Sequence, residues 1–354
     1  MFNFIENLKK LQRSFLTPFD VYFDFGTTNT RIAIKDRGVV LRQPTVIGLN
    51  TKTKEYIFFG NEAKKIIGKT PDFIQIIHPI VNSIISNFDA QLVLIEYLFS
   101  KSVKIYLNNF RLLKPFLRAI AAVPYSATEI EKKAVEEVLF KLNFSSVFLI
   151  EKPVANAAGV SGDILSHHPI LIVDLGGGLI EAAIISGGGI VSEKTLRTAG
   201  EGFGQILANY LYLKHGIILG DATCDLVKTS LLNFQNEEKI MTVRGKSLET
   251  GLPKSIRLKS SEIKEALFTS MTQIIDIIKE LMEIAQPEIV DEIYTQGVVL
   301  TGGLANVKGI ETFIAKEIKI KVNIATNPSD VTINGIINIG KNQDQLSKLT
   351  ISPI

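Results

Sequence analysis

Short apolar runs separated by glycine-containing turns recur along the chain. Residues 21–25 and 31–34 are β-prone runs joined by Gly-Thr-Thr-Asn, a combination that indicates a hairpin. Residues 170–174 and 181–186 flank a glycine triplet in the same way. Each pair predicts a strand ending in Asp, a glycine turn and a returning strand, and the two aspartates are about 150 residues apart. This weak internal repeat predicts two related α/β lobes that face each other.

Helical periodicity alternates with these strands. The segment SATEIEKKAVEEVLFKL (126–142) predicts a helix in which Ser126 and Glu129 form a capping box. The predicted apolar stripe of this helix consists of Ile130, Ala134, Val138 and Leu142. Further helices are predicted at 153–160, at 261–284 and from 307, with strands at 119–123, 147–150 and 297–301. The stretch from the first hairpin to about Asn82 is more irregular.

The first 17 residues carry a helical pattern of their own. Apolar residues recur at offsets of four, three and four, with one more beside them: Phe4, Leu8, Leu11, Phe15 and Ile5. Basic residues at 9, 10 and 13 lie off this face, and Pro18 ends the segment. The interspersed charges exclude the apolar core of a signal peptide. The pattern fits either a terminal helix packed on its own domain or an in-plane membrane helix with its basic residues toward anionic lipid.

Composition limits the class of protein further. A chain of 354 residues predicts two domains, or two lobes around a cleft. An apolar fraction of 46% with 21% charged residues excludes a disordered protein, and a net charge of +3 gives no argument for nucleic acid. The single cysteine excludes a disulfide framework and fits a reducing cytosol. No apolar run reaches the roughly 18 residues that a membrane span requires.

The two hairpin turns have the chemistry of phosphate sites. Glycine allows the backbone to approach an anion closely and to direct successive N–H groups toward it. Asp24 and Asp174, at strand ends, are suited to a hydrated Mg²⁺ that neutralises phosphate charge. The second glycine triplet, 187–189, is interpreted as a chain turn and not as a phosphate site.

A third glycine-containing segment matches the relaxed P-loop pattern. AKKIIGKT (63–70) has the required Gly-Lys-Thr ending. A P-loop, however, is a glycine-rich cradle of exposed N–H groups, whereas residues 62–67 form a good helix with apolar residues on one face. We therefore expect an ordinary helix that ends at Gly68.

Nine segments in one order carry a resemblance to a known family. They are the hairpin at 24–30, VLRQPTVIGLN (40–50), GNEAKKIIGKTP (60–71), AVPYSATEIEKKAV (122–135), LIEKPVANAAG (149–159), VDLGGG (173–178), RTAGEGF (197–203), VRGKSLETGLPKSIRL (243–258) and VVLTGG (298–303). From about 21 to 340 the chain resembles MreB, the bacterial actin that organises cell-wall synthesis. The segment 243–258 is more specific to this family than the phosphate turns, which actins, heat-shock ATPases and sugar kinases share.

The resemblance implies a fold and a domain division. The expected fold is α/β and actin-like (the actin, heat-shock ATPase and sugar kinase class), with two lobes and a central nucleotide cleft. The expected division is an N-terminal amphipathic helix (1–17), subdomain IA (18–47, 81–165 and 325–354), IB (48–80), IIA (166–199 and 263–324) and IIB (200–262).

The resemblance also implies ATP or ADP with Mg²⁺ as cofactors and assigns the residues that would bind them. Asp174 would hold Mg²⁺ through water, and Glu151 would orient the attacking water. Asp225 and Lys228 take the place of an adenosine-binding Glu-x-x-Lys. The expected nucleotide-binding residues are Asp24, Gly26, Thr27, Thr28, Asn29, Gly176, Gly177, Gly178, Asp225, Lys228, Gly302, Gly303, Leu304 and Ala305.

Three departures from the family pattern bear on activity. Leu179 stands where the family usually has a threonine close to the γ-phosphate and its water, and leucine can hold neither. Lys152 replaces a second glutamate, and Leu304 replaces a third glycine. Because backbone N–H groups and Mg²⁺ carry most of the binding, we expect nucleotide binding with slow hydrolysis, at most a slow ATPase coupled to polymerisation.

Membrane attachment is expected as well. Family members bind membrane through an N-terminal amphipathic helix or an apolar loop in the first lobe, which corresponds here to 106–119. In that loop Phe110, Leu112 and Leu113 precede Lys114-Pro115, although the leucines also fit the start of the strand that reaches residue 123.

The predicted function is a nucleotide-dependent cytoskeletal filament. We expect ATP-dependent homopolymers on the inner face of the cytoplasmic membrane, guiding cell shape, in a cytoplasmic protein without nucleic-acid partners. A sister protein of the same family and a membrane adaptor of the elongation machinery are expected partners. Two alternatives remain: a hydrolysis-impaired paralogue that copolymerises with an active sister, and a small-molecule kinase of the same superfold.

Overall fold

The computed structural model describes residues 18–108, 115–235 and 237–351. The predicted N-terminal helix, with Phe4, Ile5, Leu8, Leu11 and Phe15, lies outside these residues, as do Phe110, Leu112 and Leu113. No helix in the described part is long and apolar enough to span a bilayer. The chain divides into two compact units: the first contains the stretches up to Lys64, from Ile74 to Gly159 and from Thr332 onward, and the second contains Lys65–Phe73 and Val160–Val331.

A five-stranded mixed sheet forms the core of the first unit. Its strands are β1 (Phe19–Phe25), β2 (Asn29–Ile34), β3 (Gly38–Pro44), β9 (Leu117–Val123) and β10 (Ser146–Glu151). Their order is β10-β9-β1-β2-β3, with β1 antiparallel to β2 and parallel to β9. The central strand β1 is buried on both faces, as its near-continuous apolar sequence requires.

The stretch between β3 and residue 85 is more regular than its sequence suggests. It forms a small sheet of order β5-β4-β6 from β4 (Ile47–Asn50), β5 (Glu55–Phe59) and β6 (Ile74–Ile77), followed by the two-stranded hairpin β7 (Ile80–Val81) and β8 (Ile84–Ile85). The P-loop-like segment begins within helix α1 (Asn61–Ile66), and Gly68 after it has a left-handed φ of +73°. This segment is therefore an ordinary helix end, as expected.

The remaining helices of the first unit cover its sheet. They are α2 (Phe88–Ser102), α3 (Lys104–Leu107), α4 (Glu129–Lys141), α5 (Lys152–Val160), α11 (Val331–Lys341) and α12 (Gln343–Leu349). The predicted capping box of α4 was wrong by two residues. The helix begins at Glu129, so Thr128 and Glu131 form the box, and Ile130 is 81% exposed. The buried face of α4 consists of Val135, Val138 and Leu139.

The second unit repeats the sheet arrangement of the first. Its main strands are β11 (Ile170–Leu175), β12 (Ile180–Ser186), β13 (Gly189–Leu196), β17 (Val298–Thr301) and β18 (Val322–Ile324), in the order β13-β12-β11-β17-β18. A second, three-stranded sheet contains β14 (Ile217–Ile218), β15 (Ile240–Ser247) and β16 (Pro253–Lys259). The helices are α6 (Gly200–His215), α7 (Asp221–Leu231), α8 (Ser260–Ile284), α9 (Pro287–Gln296) and α10 (Ile310–Ile318).

The internal repeat predicted from the sequence is confirmed at the level of strand pairing. In each unit a buried strand is antiparallel to the strand that follows it and parallel to a strand further along the chain, β9 in the first unit and β17 in the second. Asp24 and Asp174 are each the last residue but one of their strand. The second glycine triplet makes the turn from β12 into the third strand, β13, with Gly187 and Gly188 at positive φ.

A buried ion pair stabilises the far end of the first unit's sheet. Arg118 on β9 binds Asp20 on β1 through two nitrogen–oxygen contacts of 2.6 and 2.7 Å, and its third nitrogen donates to Gln343 at 2.6 Å. The Asp20 side chain is fully buried, and Lys35 lies 3.7 Å from the same carboxylate. Asp20 also contributes, after burial, to a raised pKa of the Tyr22 hydroxyl.

Candidate functional site

The first predicted phosphate turn connects β1 to β2. Glycine is required at position 26, because a Cβ there would lie 2.6 Å from the carbonyl oxygen of Asn29. The Thr45 hydroxyl donates to the Gly26 carbonyl at 2.7 Å, and the Thr45 amide donates to the Thr28 carbonyl at 3.0 Å. A turn whose carbonyl groups are held by the protein in this way can offer its N–H groups to an anion.

Asp24, just before this turn, has one carboxylate oxygen without a protein partner. Its Oδ2 pairs with Arg31 at 3.0 Å, whereas Oδ1 is buried and accepts no hydrogen bond from the described residues. Burying a carboxylate oxygen without a partner is unfavourable, so such an atom indicates a ligand, an ordered water or an ion. Asp24 therefore fits a hydrated cation, as its sequence position predicts.

The second predicted phosphate turn connects β11 to β12 and is closed by its own backbone. The Gly176 amide donates to the Leu179 carbonyl at 3.1 Å, and a Cβ at Gly176 would lie 2.5 Å from that oxygen. The amides of Gly200 and Glu201 at the start of α6 donate to the Gly176 and Gly177 carbonyls at 3.2 and 2.8 Å. These bonds occupy the carbonyl side of the turn, which suits a turn that binds phosphate through its amides.

Asp174 and the third glycine turn meet in the second unit. The Thr301 hydroxyl donates to Asp174 Oδ1 at 3.2 Å. Gly302 follows with φ +85°, and a Cβ there would lie 2.5 Å from the same carboxylate oxygen. No group of three or more metal-binding side chains occurs among the described residues. If a cation binds beside Asp174, water and phosphate oxygens would complete its coordination, as is usual for Mg²⁺.

The residues assigned to adenosine lie close to the same region of the second unit. Lys228 is buried, pairs with Asp225 at 2.8 Å and donates to the Gly200 carbonyl at 2.6 Å. Residues Gly303–Asn306 form a single 3-10 turn in which Ala305 is buried, and the Leu304 side chain would lie 3.5 Å from a Cβ at Gly200. Gly200 is therefore the point where both glycine turns of this unit and Lys228 converge.

Glu151 ends β10 in the first unit and is half-buried. Burial raises the pKa of its carboxyl above the usual 4.5, and the charge of Lys132 on α4 partly opposes this shift. A carboxylate with a raised pKa is closer to proton-transfer competence at neutral pH than an exposed one. The next residue, Lys152, is 7% exposed.

Leu179 is buried, with 4% of its surface exposed, at the end of the second turn. Its carbonyl oxygen accepts the hydrogen bond that closes the turn. The backbone of residue 179 therefore closes the turn whatever its side chain is. The difference from the expected threonine is confined to the missing side-chain hydroxyl.

Three residues that bind the phosphate turns were not predicted from the sequence. Gly200 and Thr45 bind the turn carbonyls, and Ser83 donates its amide to the Thr27 hydroxyl at 2.8 Å. Gly200 had a sequence signal, the glycine pair of RTAGEGF, which falls in the first turn of α6. Thr45 and Ser83 had none, because they are distant in sequence from the turns that they contact.

Solved structures with the same arrangement establish the class of protein. Chains of MreB5 of Spiroplasma citri bound to ADP and to AMPPNP match with a TM-score of 0.86, at 28% and 27% identity, covering 92% and 94% of this chain and 97% and 98% of theirs. The MamK double helical filament matches with a TM-score of 0.76 at 17% identity, over 92% of this chain and 99% of that one. The chain has an actin-like fold.

Sequence comparison identifies the family. The family model described as MreB/Mbl protein matches residues 19–348. Mbl of Bacillus subtilis (strain 168), named a cell shape-determining protein, is 31% identical over 337 residues, which are 94% of this chain and 99% of that protein. MreB of Escherichia coli (strain K12) is 32% identical over 334 residues, 93% of this chain and 94% of that protein. The chain belongs to the MreB/Mbl family.

Proposed function

We propose that this protein is an ATP-binding cytoskeletal protein that polymerises into membrane-associated filaments and helps to determine cell shape by organising cell-wall synthesis. The observation that carries the proposal is the pair of Asp-x-Gly hairpin turns, one in each unit, whose carbonyl groups are bound by the protein. The family relationship supports it, because curated relatives are named cell shape-determining proteins and similar structures hold ADP or AMPPNP.

Backbone amides and carboxylates are the groups that would bind nucleotide. The turns at Gly26 and Gly176 would bind phosphate oxygens, and the Asp225–Lys228 pair with the Gly302–Ala305 turn would lie on the adenosine side. A Mg²⁺ ion would neutralise phosphate charge, held through water by Asp174. Asp24 Oδ1, which accepts no hydrogen bond from the described residues, would accept one from such a water. The subdomain boundaries given above are part of this proposal.

Leu179 supports a second candidate within the same class. A buried leucine at the end of the second turn leaves no hydroxyl to hold the attacking water, so turnover would be slow even though Glu151 is present. The protein would then be a paralogue that copolymerises with an active sister, which supplies the faster nucleotide turnover. Filament formation is common to both candidates.

Sedimentation with and without nucleotide tests the filament. We expect more protein in the pellet with ATP than with ADP or no nucleotide. Gly302→Ala, which places a methyl group 2.5 Å from the Asp174 carboxylate at a φ of +85°, should abolish the difference, whereas Gly204→Ala, where space is open, should keep it. Protein that remains in the supernatant under all conditions while phosphorylating a small acceptor would establish a kinase instead.

Deletion of residues 2–15 tests the membrane helix. Burial of each large apolar side chain contributes roughly 1.5–3 kcal/mol at most, and assembly of many copies into a filament multiplies the attraction of this segment to the bilayer. We expect the truncated protein to co-sediment less with anionic liposomes, while ATP-dependent pelleting without lipid is unchanged. Undiminished liposome binding would count against this segment as the membrane contact.

A further inference from the structure

Lys152 occupies a position that is unfavourable for a lysine. It is the first residue of α5 and is 7% exposed, and the first turn of this helix contains no acidic residue. A cation at a helix N-terminus opposes the helix dipole, and burying an ammonium group removes it from water. Residues that break local rules in this way are concentrated at functional sites.

The ammonium group of Lys152 contacts the tip of the β7–β8 hairpin. Its Nζ donates to the Ser83 hydroxyl at 3.3 Å. Asn82 and Ser83, the two residues of the tip, both have left-handed backbones, with φ of +50° and +59°. Two successive left-handed residues define the tight two-residue turn that connects adjacent strands. The tip is therefore a defined turn, and Lys152 binds it through the side chain of Ser83.

The same serine holds a residue of the first phosphate turn. The Ser83 amide donates to the Thr27 hydroxyl oxygen at 2.8 Å, and Thr27 is 3% exposed. Because this bond occupies an acceptor position of the hydroxyl, the hydroxyl proton is directed away from Ser83. The Thr27 hydroxyl can therefore donate its proton to an acceptor on the ligand side of the turn, such as a phosphate oxygen.

We infer that Lys152 is a positioning residue for the terminal phosphate: through Ser83 it holds the Thr27 hydroxyl as a donor, and its charge favours a nucleoside triphosphate over a diphosphate. The inference rests on the proposed nucleotide binding and deepens it. Thr27, Ser83 and Lys152 all belong to the first unit, and each contact is a hydrogen bond between side chains or between a side chain and an amide. A triphosphate carries more negative charge than a diphosphate, so the buried ammonium group of Lys152 attracts the triphosphate more strongly.

The test compares three variants of the full chain in equilibrium titrations with ADP and with AMPPNP. Lys152→Met keeps most of the apolar stem and removes the charge, Lys152→Arg keeps the charge, and Ser83→Ala removes the hydroxyl but keeps the amide. We expect the preference for AMPPNP over ADP to fall about tenfold in Lys152→Met and about threefold in Ser83→Ala. Lys152→Arg should retain most of it, and ADP affinity should change less than about twofold throughout.

The outcomes separate this inference from the proposed function. If the unsubstituted protein binds neither nucleotide, the proposed function and the inference both fail. If it binds both and Lys152→Met lowers the two affinities equally or not at all, only the inference fails. A thermal melt without nucleotide checks folding, and if Lys152→Met does not fold, an unchanged preference in Ser83→Ala overturns the inference by itself.

Discussion

Leu179→Thr is expected to release phosphate from ATP at least about tenfold faster than the unsubstituted protein, with the ~10²–10⁴-fold that one positioned proton-transfer group contributes as the upper limit. The side chain of residue 179 is buried at the end of the second phosphate turn, while its carbonyl closes the turn. The substitution therefore adds a hydroxyl where water must be held and leaves the backbone bonds intact. Phosphate release is measured at saturating ATP.

Leu179→Val is the matched control for this prediction. Valine has the shape of threonine without the hydroxyl, so it creates the same change in volume and should leave the rate low. Nucleotide affinity should be similar in all three proteins. Adding Glu151→Gln to Leu179→Thr should remove the gain, because the amide cannot accept a proton. Equal phosphate release by the unsubstituted protein and Leu179→Thr would show that the leucine does not limit hydrolysis.

The pH dependence of Leu179→Thr follows from the environment of Glu151. Burial raises the pKa of this carboxyl above the usual 4.5. Below the raised pKa the carboxyl is protonated and cannot take a proton from water; above it, the carboxylate can. The acid limb of the phosphate-release profile should thus lie above pH 4.5, where an exposed glutamate would already be ionised. An acid limb at or below 4.5 would argue against Glu151 as the base.

Arg118→Met is expected to lower the free energy of unfolding by about 3–5 kcal/mol, the usual cost of removing one partner of a buried ion pair. Asp20 is fully buried and takes two of its contacts, at 2.6 and 2.7 Å, from Arg118. Without the guanidinium, Lys35 at 3.7 Å would be the one cation left at this carboxylate among the described residues. Because the chain has no tryptophan, chemical unfolding is best followed by circular dichroism.

Two comparisons identify the ion pair as the cause. Lys35→Met removes a cation from the same carboxylate, but Lys35 is 38% exposed at 3.7 Å, so it should cost under about 1 kcal/mol. The double variant Asp20→Leu/Arg118→Met removes both charges and should be more stable than Arg118→Met alone. A double variant as unstable as the single one would assign the loss to packing and not to the unpaired charge.

The parts of the site that the sequence predicted are those made by neighbouring residues. A strand ending in Asp, a glycine turn and a returning strand form one hairpin, so the turns at Gly26 and Gly176 were predicted without any distant contact. The same holds for the helix at 61–66, since six consecutive residues decide between a helix and a phosphate cradle. The start of α4 was predicted two residues too early, because Ser126 and Thr128 are both suitable caps and only the fold selects between them.

The sequence by itself determined the repeated hairpins and the glycine turns, because each depends on residue type and local spacing, and its resemblance to the family marked the three departures at Leu179, Lys152 and Leu304. Only the tertiary structure decided what holds the turns: Thr45 and Ser83 for the first, the start of α6 for the second. It also gave Lys152 its contact with Ser83, 69 residues away in the chain. Contacts between such distant residues depend on how strands and hairpins pack, which no local pattern specifies.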